Sequence, residues 1–589
     1  MDNREQFESV LQSPAPWVEA EQPASPASYK IDADGVWFES KNGELTRISG
    51  PAWVTAKTLN QARKNWGRVV KWLDSDNMLH SETFSQKRFH EPGFELAQDL
   101  ASGGLDIEPG QEKRLILCLG RYKPEARLTN VDRLGWIDTT DDQLAFVTPN
   151  ETLSQSDMEY VFQRERHCPT VSTMRSNGTL KDWKENVAEK CKEKPYLIFS
   201  LCLGLSGPLM KPASIDNGGF HLYAQSSQGK TLCAQLSASA WGCGADPAVA
   251  PELSYIRRWN STVNAFEGLA AAHSDNILVL DELGTCSSRD FGGVIYNLAS
   301  GLGRAAMDRN RNLKAQRIWR NMLLSTGEVS SRSKIEEESV KTSAKAGQLV
   351  RLLDIPVSGI VGDEKDPKAF VDQLELACGQ YYGSAGPEFV RQLTAVFESA
   401  TELRDAVSEF IGASMTRLGA SKLRPALERA AKKFALVEVA GRLGVMAEIL
   451  PFTDEEIKSS VRTAYDAWLT EAEAIPDDIR AVLAVRGFIL KHRESRFRHQ
   501  PIRENEPKTI DLCGYFHRTD NFYLFTPAGF KEACTGVDPK QVAKKLDELG
   551  LLHRNEKDRY QSKHHIGEID QTIRFYAVRA DILSADLSQ

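Results

Sequence analysis

Residues 218–236, GGFHLYAQSSQGKTLCAQL, set an apolar run of strand type, a loop of Gly, Ser and Gln, and a helix-type run in immediate succession. A loop that leaves a buried strand and enters a helix directly has successive backbone N–H groups with no intrachain partner. Together with the helix N-terminus they cradle phosphate oxygens. The loop closes on Gly229, Lys230 and Thr231. The expected contacts are therefore the backbone of Ser227, Gln228 and Gly229, the Lys230 ammonium on the β and γ oxygens of a triphosphate, and the Thr231 hydroxyl on magnesium. The pattern G-x-x-x-x-G-K-[ST] is broken at its first position, where Ala224 stands. A small residue serves there if the turn does not need φ > 0.

Further along, NILVLDELG is a second buried-type strand, and it ends in Asp281 and Glu282. In that arrangement the first carboxylate holds magnesium through water and the second polarises the attacking water, as in a Walker B strand. A third strand, NMLLSTGE, carries Ser325, Thr326 and Glu328 at its tip. A hydroxyl there, Thr326 in particular, is placed to sense a γ-phosphate. RRWNSTVNAFEGLAAAH supplies another strand and helix between the first two motifs. The order fits an additional-strand P-loop ATPase of the AAA+ type, with ATP and Mg2+ as its ligands.

At 589 residues the chain exceeds what one core serves, so three or four domains are expected. Residues 1–28, with five acids against one arginine and Pro/Ser clusters, read as a disordered tail that a protein partner could bind. Short runs such as GVWFE and RVVKWL, separated by turn residues, make 29–170 a β-rich domain. The capped helix start GTLKDWKENVAEKC opens the ATPase domain, 171–366. Helical periodicity dominates 367–506, and 507–589 reads helix, turn, helix, then two strands, the order of a winged helix. The fold class is thus multidomain α/β. Ten scattered cysteines without C-x-x-C spacing suit reduced thiols in a cytoplasmic protein without disulfide or zinc. The longest apolar stretch, Tyr196 to Met210, is short and broken by Ser and Gly, which argues against membrane insertion.

The motifs in combination resemble the domain-of-unknown-function 927 family of helicase-like ATPases of phages and mobile elements. The resemblance runs from DGVWFE through VDRLGWIDTTDDQLAFVTP, GTLKDW, GGFHLYAQSSQGKT, WNSTVNAFEGLAAAHSDNILVLDELG and IWRNMLLSTGE to AGQLVRLLDIP and YYGSAGPEF, most of the first 390 residues. The family usually has Gly where this chain has Ala224. The resemblance implies an MCM-like motor akin to the cassette-chromosome helicases: a hexameric homo-oligomer that binds single-stranded or forked DNA and unwinds duplex. In such a ring a neighbour's arginine completes each site, and Arg351 and Arg332 are the candidates.

A net charge of −8 gives no support to nucleic-acid binding by the chain as a whole, so such binding must rest on local basic patches. The densest lies between Gly301 and Arg320, where Arg304, Arg309, Arg311, Lys314, Arg317 and Arg320 face one acid, Asp308. Its Asn-rich centre suits a hairpin tip, with Arg309, Arg311 and Lys314 on DNA phosphates. The competing reading is a solvated loop pairing across subunits, and Arg304 could equally touch nucleotide in trans. A second grip is offered by Lys540, Lys544 and Lys545 on the recognition helix, with Arg554, Lys557, Arg559 and Lys563 in the wing. The alternative function is a regulatory or defence-associated ATPase switch that binds DNA or a protein without unwinding. A primase-helicase fusion is disfavoured, because the β-rich region offers no convincing acidic metal constellation.

Overall fold

The computed structural model describes residues 24–139, 141–155, 159–163, 173–225, 228–288, 290–305, 307, 316–338, 350–473, 477–501, 511–535, 537–556 and 558–585. The architecture is multidomain α/β, with mixed sheets and many helices. An antiparallel three-stranded meander, Tyr29–Asp32, Gly35–Glu39 and Leu45–Ser49, comes first. A five-stranded sheet follows in the order 160–162, 127–131, 52–59, 67–73, 79–85. Helices Glu95–Ser102 and Glu112–Arg121 supply Leu96, Leu100, Leu115 and Leu119 to the core beneath it. A small sheet of Gly135–Trp136, Ala145–Val147 and Thr152–Ser154 packs Trp136, Phe146 and Leu153 into the same core as the α/β region that follows.

That α/β region is built on five parallel strands in the order Arg257–Arg258, Asn276–Asp281, Asn321–Gly327, Gly218–Tyr223, Leu352–Pro356. Strand 321–327 comes later in the chain than 218–223 and 276–281, yet it lies between them. All residues of strands 276–281 and 321–327 are buried, as expected of a parallel sheet covered on both faces. The apolar stretch beginning at Tyr196 forms part of helix Pro195–Gly204, in which every residue from Tyr196 to Gly204 is buried, so its all-round hydrophobicity marks a core helix. Among the described residues no helix is long and apolar enough to cross a membrane.

The helical segment packs on the sheet region through two long helices, Pro425–Met446 and Asp454–Glu473. The Phe434 ring on the first of these meets Phe199 and Phe220 on one side and Tyr465 and Trp468 on the other. Helix Asp477–His492 turns away and places Val482, Val485 and Ile489 in a separate C-terminal core. Helices Pro527–Ala533 and Pro539–Glu548 pack there too, followed by the antiparallel pair Ser562–Ile566 and Gln571–Arg579. Two strands that sequence periodicity did not register, Gly514–His517 and Phe522–Phe525, join this sheet, which Phe497–Gln500 and Leu552–His553 bring to six strands.

Candidate nucleotide site

The C-terminal ends of the parallel strands carry the candidate site. Strand 218–223 runs so close to its neighbour that a Cβ at Gly219 would collide with the Leu323 carbonyl. The chain then turns into helix Lys230–Ser239 through Gly229, whose φ of 82° is left-handed and whose position therefore favours glycine. No side chain caps the first turn of this helix. Its N–H groups and its dipole are left for an anion. Ala224 is not among the residues of positive φ, so the first loop position needs no glycine. Lys230 is 8% exposed and folds back, donating to the Ala224 carbonyl at 2.7 Å and the Gln225 carbonyl at 2.8 Å. Its ammonium is thus held inside the loop curvature. Gln228 is exposed and Thr231 half-buried in the first helical turn, while Ser227 lies outside the described residues.

Two strands away, Asp281 is 5% exposed and accepts a hydrogen bond from the Thr326 hydroxyl. The same hydroxyl accepts the Glu282 N–H at 3.3 Å. Burial pushes the Asp281 carboxyl above its ordinary range, the Thr326 hydroxyl opposes this, and Asp246 adds to it. Glu282 adopts φ 58° and ψ 73°, a left-handed conformation that a side chain rarely takes, and it turns the chain sharply beyond the acid strand. Strand alternation puts Ser325 on the face opposite Thr326. The Ser325 hydroxyl meets Nδ1 of His221 at 2.8 Å and accepts the Trp259 indole N–H at 2.9 Å. His221, Trp259, Asp246 and its ion-pair partner Arg258, 3.1 Å away, were not singled out from sequence. The one available signal was a histidine inside the apolar run GGFHLY.

The two arginine candidates occupy opposite ends of the sheet. Arg332 opens helix Ser331–Glu338 just beyond strand 321–327, and its N–H is held by Asp354 at 3.2 Å. Arg351 precedes strand 352–356. Its carbonyl accepts the Gly219 N–H at 2.8 Å and its guanidinium lies 4.3 Å from the Tyr296 ring centroid. Within one chain, Arg351 and Lys230 are not brought together.

The basic segment leaves and returns as an antiparallel stem. Leu302 bridges Ile318, Gly303 N–H donates to Arg317 at 2.8 Å, and Trp319 N–H donates to Gly301 at 3.0 Å. Arg309, Arg311 and Lys314 lie outside the described residues. At the stem base, Arg320 pairs at 2.7 Å with the buried Asp275, which also accepts the Trp136 N–H at 3.0 Å. In the C-terminal domain, Lys544 and Lys545 lie on helix Pro539–Glu548, each 3.8 Å from Glu548.

No curated protein matches the chain in sequence. Among solved structures, "SCCmec type IV Cch - active helicase" is similar with a TM-score of 0.66 at 18% identity, over 95% of this chain and 99% of that one. At that identity the likeness concerns the fold, and it extends across the whole architecture. The family model Domain of unknown function (DUF927) matches residues 29–318, which hold the β-rich region, the phosphate-type loop and the Asp281–Glu282 pair. Over residues 29–318, just under half of its length, the chain is thus similar to that family.

Proposed function

We propose that this chain is an ATP-driven DNA helicase of a mobile element or phage, working as an MCM-like ring. One observation carries the reading. The Lys230 loop, Asp281, Glu282 and Thr326 meet at one end of a parallel sheet in which strand 321–327 is inserted between the loop strand and the acid strand, the order of an AAA+ core. The strand order supports the assignment of 171–366 as that core, flanked by the β-rich 29–170, the helical 367–506 and a winged helix over 507–589, whose core is shared by helix 477–492 and strand 497–500 at the end of the helical segment. Likeness in fold to a structure described as an active helicase supports the motor reading.

In this reading, the helix 230–239 N–H groups and Lys230 bind the phosphates, and Lys230 exchanges two loop carbonyls for β and γ oxygens. The oxygen donors Thr231 and Asp281 suit a hard divalent cation such as Mg2+, which supplies charge neutralisation on the phosphates. Glu282 takes the proton from the attacking water. Arg351, at the sheet end remote from its own loop, acts on the γ-phosphate of a neighbouring copy; Arg332, beside its own sensor strand, is the other candidate. Arg309, Arg311 and Lys314, which lie in sequence between the paired residues 302–303 and 317–318, grip DNA phosphates, and Lys544 and Lys545 form a second grip. The acidic tail, 1–28, is left for a protein partner.

Two variants test the site. Lys230→Ala is expected to lose nucleotide binding or turnover, and Glu282→Gln to bind ATP without hydrolysing it. Normal hydrolysis by Glu282→Gln would overturn the assignment.

A further inference from the structure

Beneath the site, on the face opposite Thr326, lies a buried polar network with every bond accounted for. Nε2 of His221 faces the Val329 carbonyl at 2.8 Å. A carbonyl only accepts, so Nε2 carries the proton and Nδ1 of the neutral ring is an acceptor. The Ser325 hydroxyl therefore donates to Nδ1 and accepts from the Trp259 indole. All three residues are buried, and burial pushes His221 below its ordinary pKa, in keeping with the neutral ring. The network joins the loop strand through His221, the Thr326 strand through Ser325, and the segment beside the acid strand through Trp259, whose backbone N–H donates to the Asp281 carbonyl at 3.2 Å.

The network also reaches the turn beyond the Thr326 strand. A Cβ at Gly327 would stand 2.9 Å from Leu283 Cβ and 3.0 Å from Cε1 of His221, so the absent side chain lets the ring reach Val329. Asp354, the strand neighbour of His221, accepts the Ser331 and Arg332 N–H groups at 2.9 and 3.2 Å. The Thr326 tip, the turn and the start of the Arg332 helix are thereby referred to strand 218–223, which leads into the Lys230 loop, and to its neighbour 352–356.

We infer that His221, Ser325 and Trp259 are positioning residues for nucleotide hydrolysis, setting where Thr326, Asp281 and Glu282 stand relative to the phosphate loop. The inference rests on the proposal that ATP is hydrolysed at this site. None of the three touches the reacting atoms, and the Lys230 loop does not depend on them for its own bonds. Their loss should therefore slow turnover without weakening nucleotide binding, because misplacement by a fraction of an ångström is paid at the transition state.

The test uses the full chain with Ser325→Ala, Trp259→Phe and His221→Gln, and measures kcat, affinity for a fluorescent ATP analogue, and the melting midpoint. Ser325→Ala removes the hub at almost unchanged volume. It is expected to lower kcat by about tenfold or more, with affinity held within about threefold. Adding His221→Gln to Ser325→Ala should lose little more, since both cut one network. A Ser325→Ala kcat within about twofold of wild type, losses that multiply in the double variant, or a parallel fall in affinity would overturn the inference. Lys230→Ala run alongside separates the two claims. If it hydrolyses normally the site reading fails, whereas a dead Lys230→Ala beside a normal Ser325→Ala defeats only the positioning role.

Discussion

Replacing Thr326 with Val keeps the side-chain volume and deletes one hydroxyl that serves two partners. The Asp281 carboxylate loses its donor and the Glu282 N–H loses its acceptor, both in a setting where Asp281 is 5% exposed. A buried polar group left unpaired costs about 1–3 kcal/mol. For a region of this size that lowers the melting midpoint by roughly 2–10 °C. A second effect is independent of stability. The Asp281 carboxyl is already raised by burial, and the hydroxyl works against that rise. Without it the carboxyl holds its proton to higher pH, protons compete better with magnesium, and the acid limb of the pH–rate profile moves upward. Scanning calorimetry and Mg2+-dependent ATP hydrolysis against pH read the two effects separately. A Thr326→Val protein that melts within about 1 °C of wild type and keeps its acid limb in place would refute the bonding scheme.

The parallel-sheet region should weaken in mild acid. Burial pushes His273 down to about 4 from an ordinary 6.5, so unfolding takes up a proton as pH falls through that window, and about 2 kcal/mol is lost near pH 5. Urea unfolding of His273→Gln should show a flatter pH dependence over the same range, and equal slopes would contradict the assignment. For the DNA grip, the joint replacement of Arg309, Arg311 and Lys314 with Ala should flatten the salt dependence of binding while sparing basal hydrolysis. If the Lys544→Ala, Lys545→Ala protein shows that loss instead, DNA is held by the C-terminal domain alone.

The phosphate-type loop was legible because its parts are contiguous: a strand, a loop and a helix start announce themselves within a few residues. The acid strand and the Thr326 strand were legible for the same reason, each ending a short apolar run. What escaped was the wiring between them. His221 and Ser325 stand 104 residues apart, Trp259 and Ser325 66 apart, and Asp275 and Trp136 139 apart. No local period brings such pairs together; the crossover order of the parallel strands does so for the first two, and the packing of the small 135–154 sheet against the α/β region for the third. The C-terminal strands were missed because Gly514–His517 and Phe522–Phe525 are four-residue runs, too short for alternation to stand out. Helix Asp477–His492 has the same apolar period as its predecessors, and nothing in that period says which of two cores its face will join.

The central claim is that nucleotide chemistry at the Lys230–Asp281–Glu282 site drives work on DNA. Strand displacement on a forked duplex, followed in parallel with ATP hydrolysis, tests it most directly. Wild type is expected to separate the strands only with hydrolysable ATP, to hydrolyse faster when DNA is present, and to lose displacement in Glu282→Gln. Hydrolysis that ignores DNA, with the fork left intact, would contradict the motor and leave a nucleotide switch in its place.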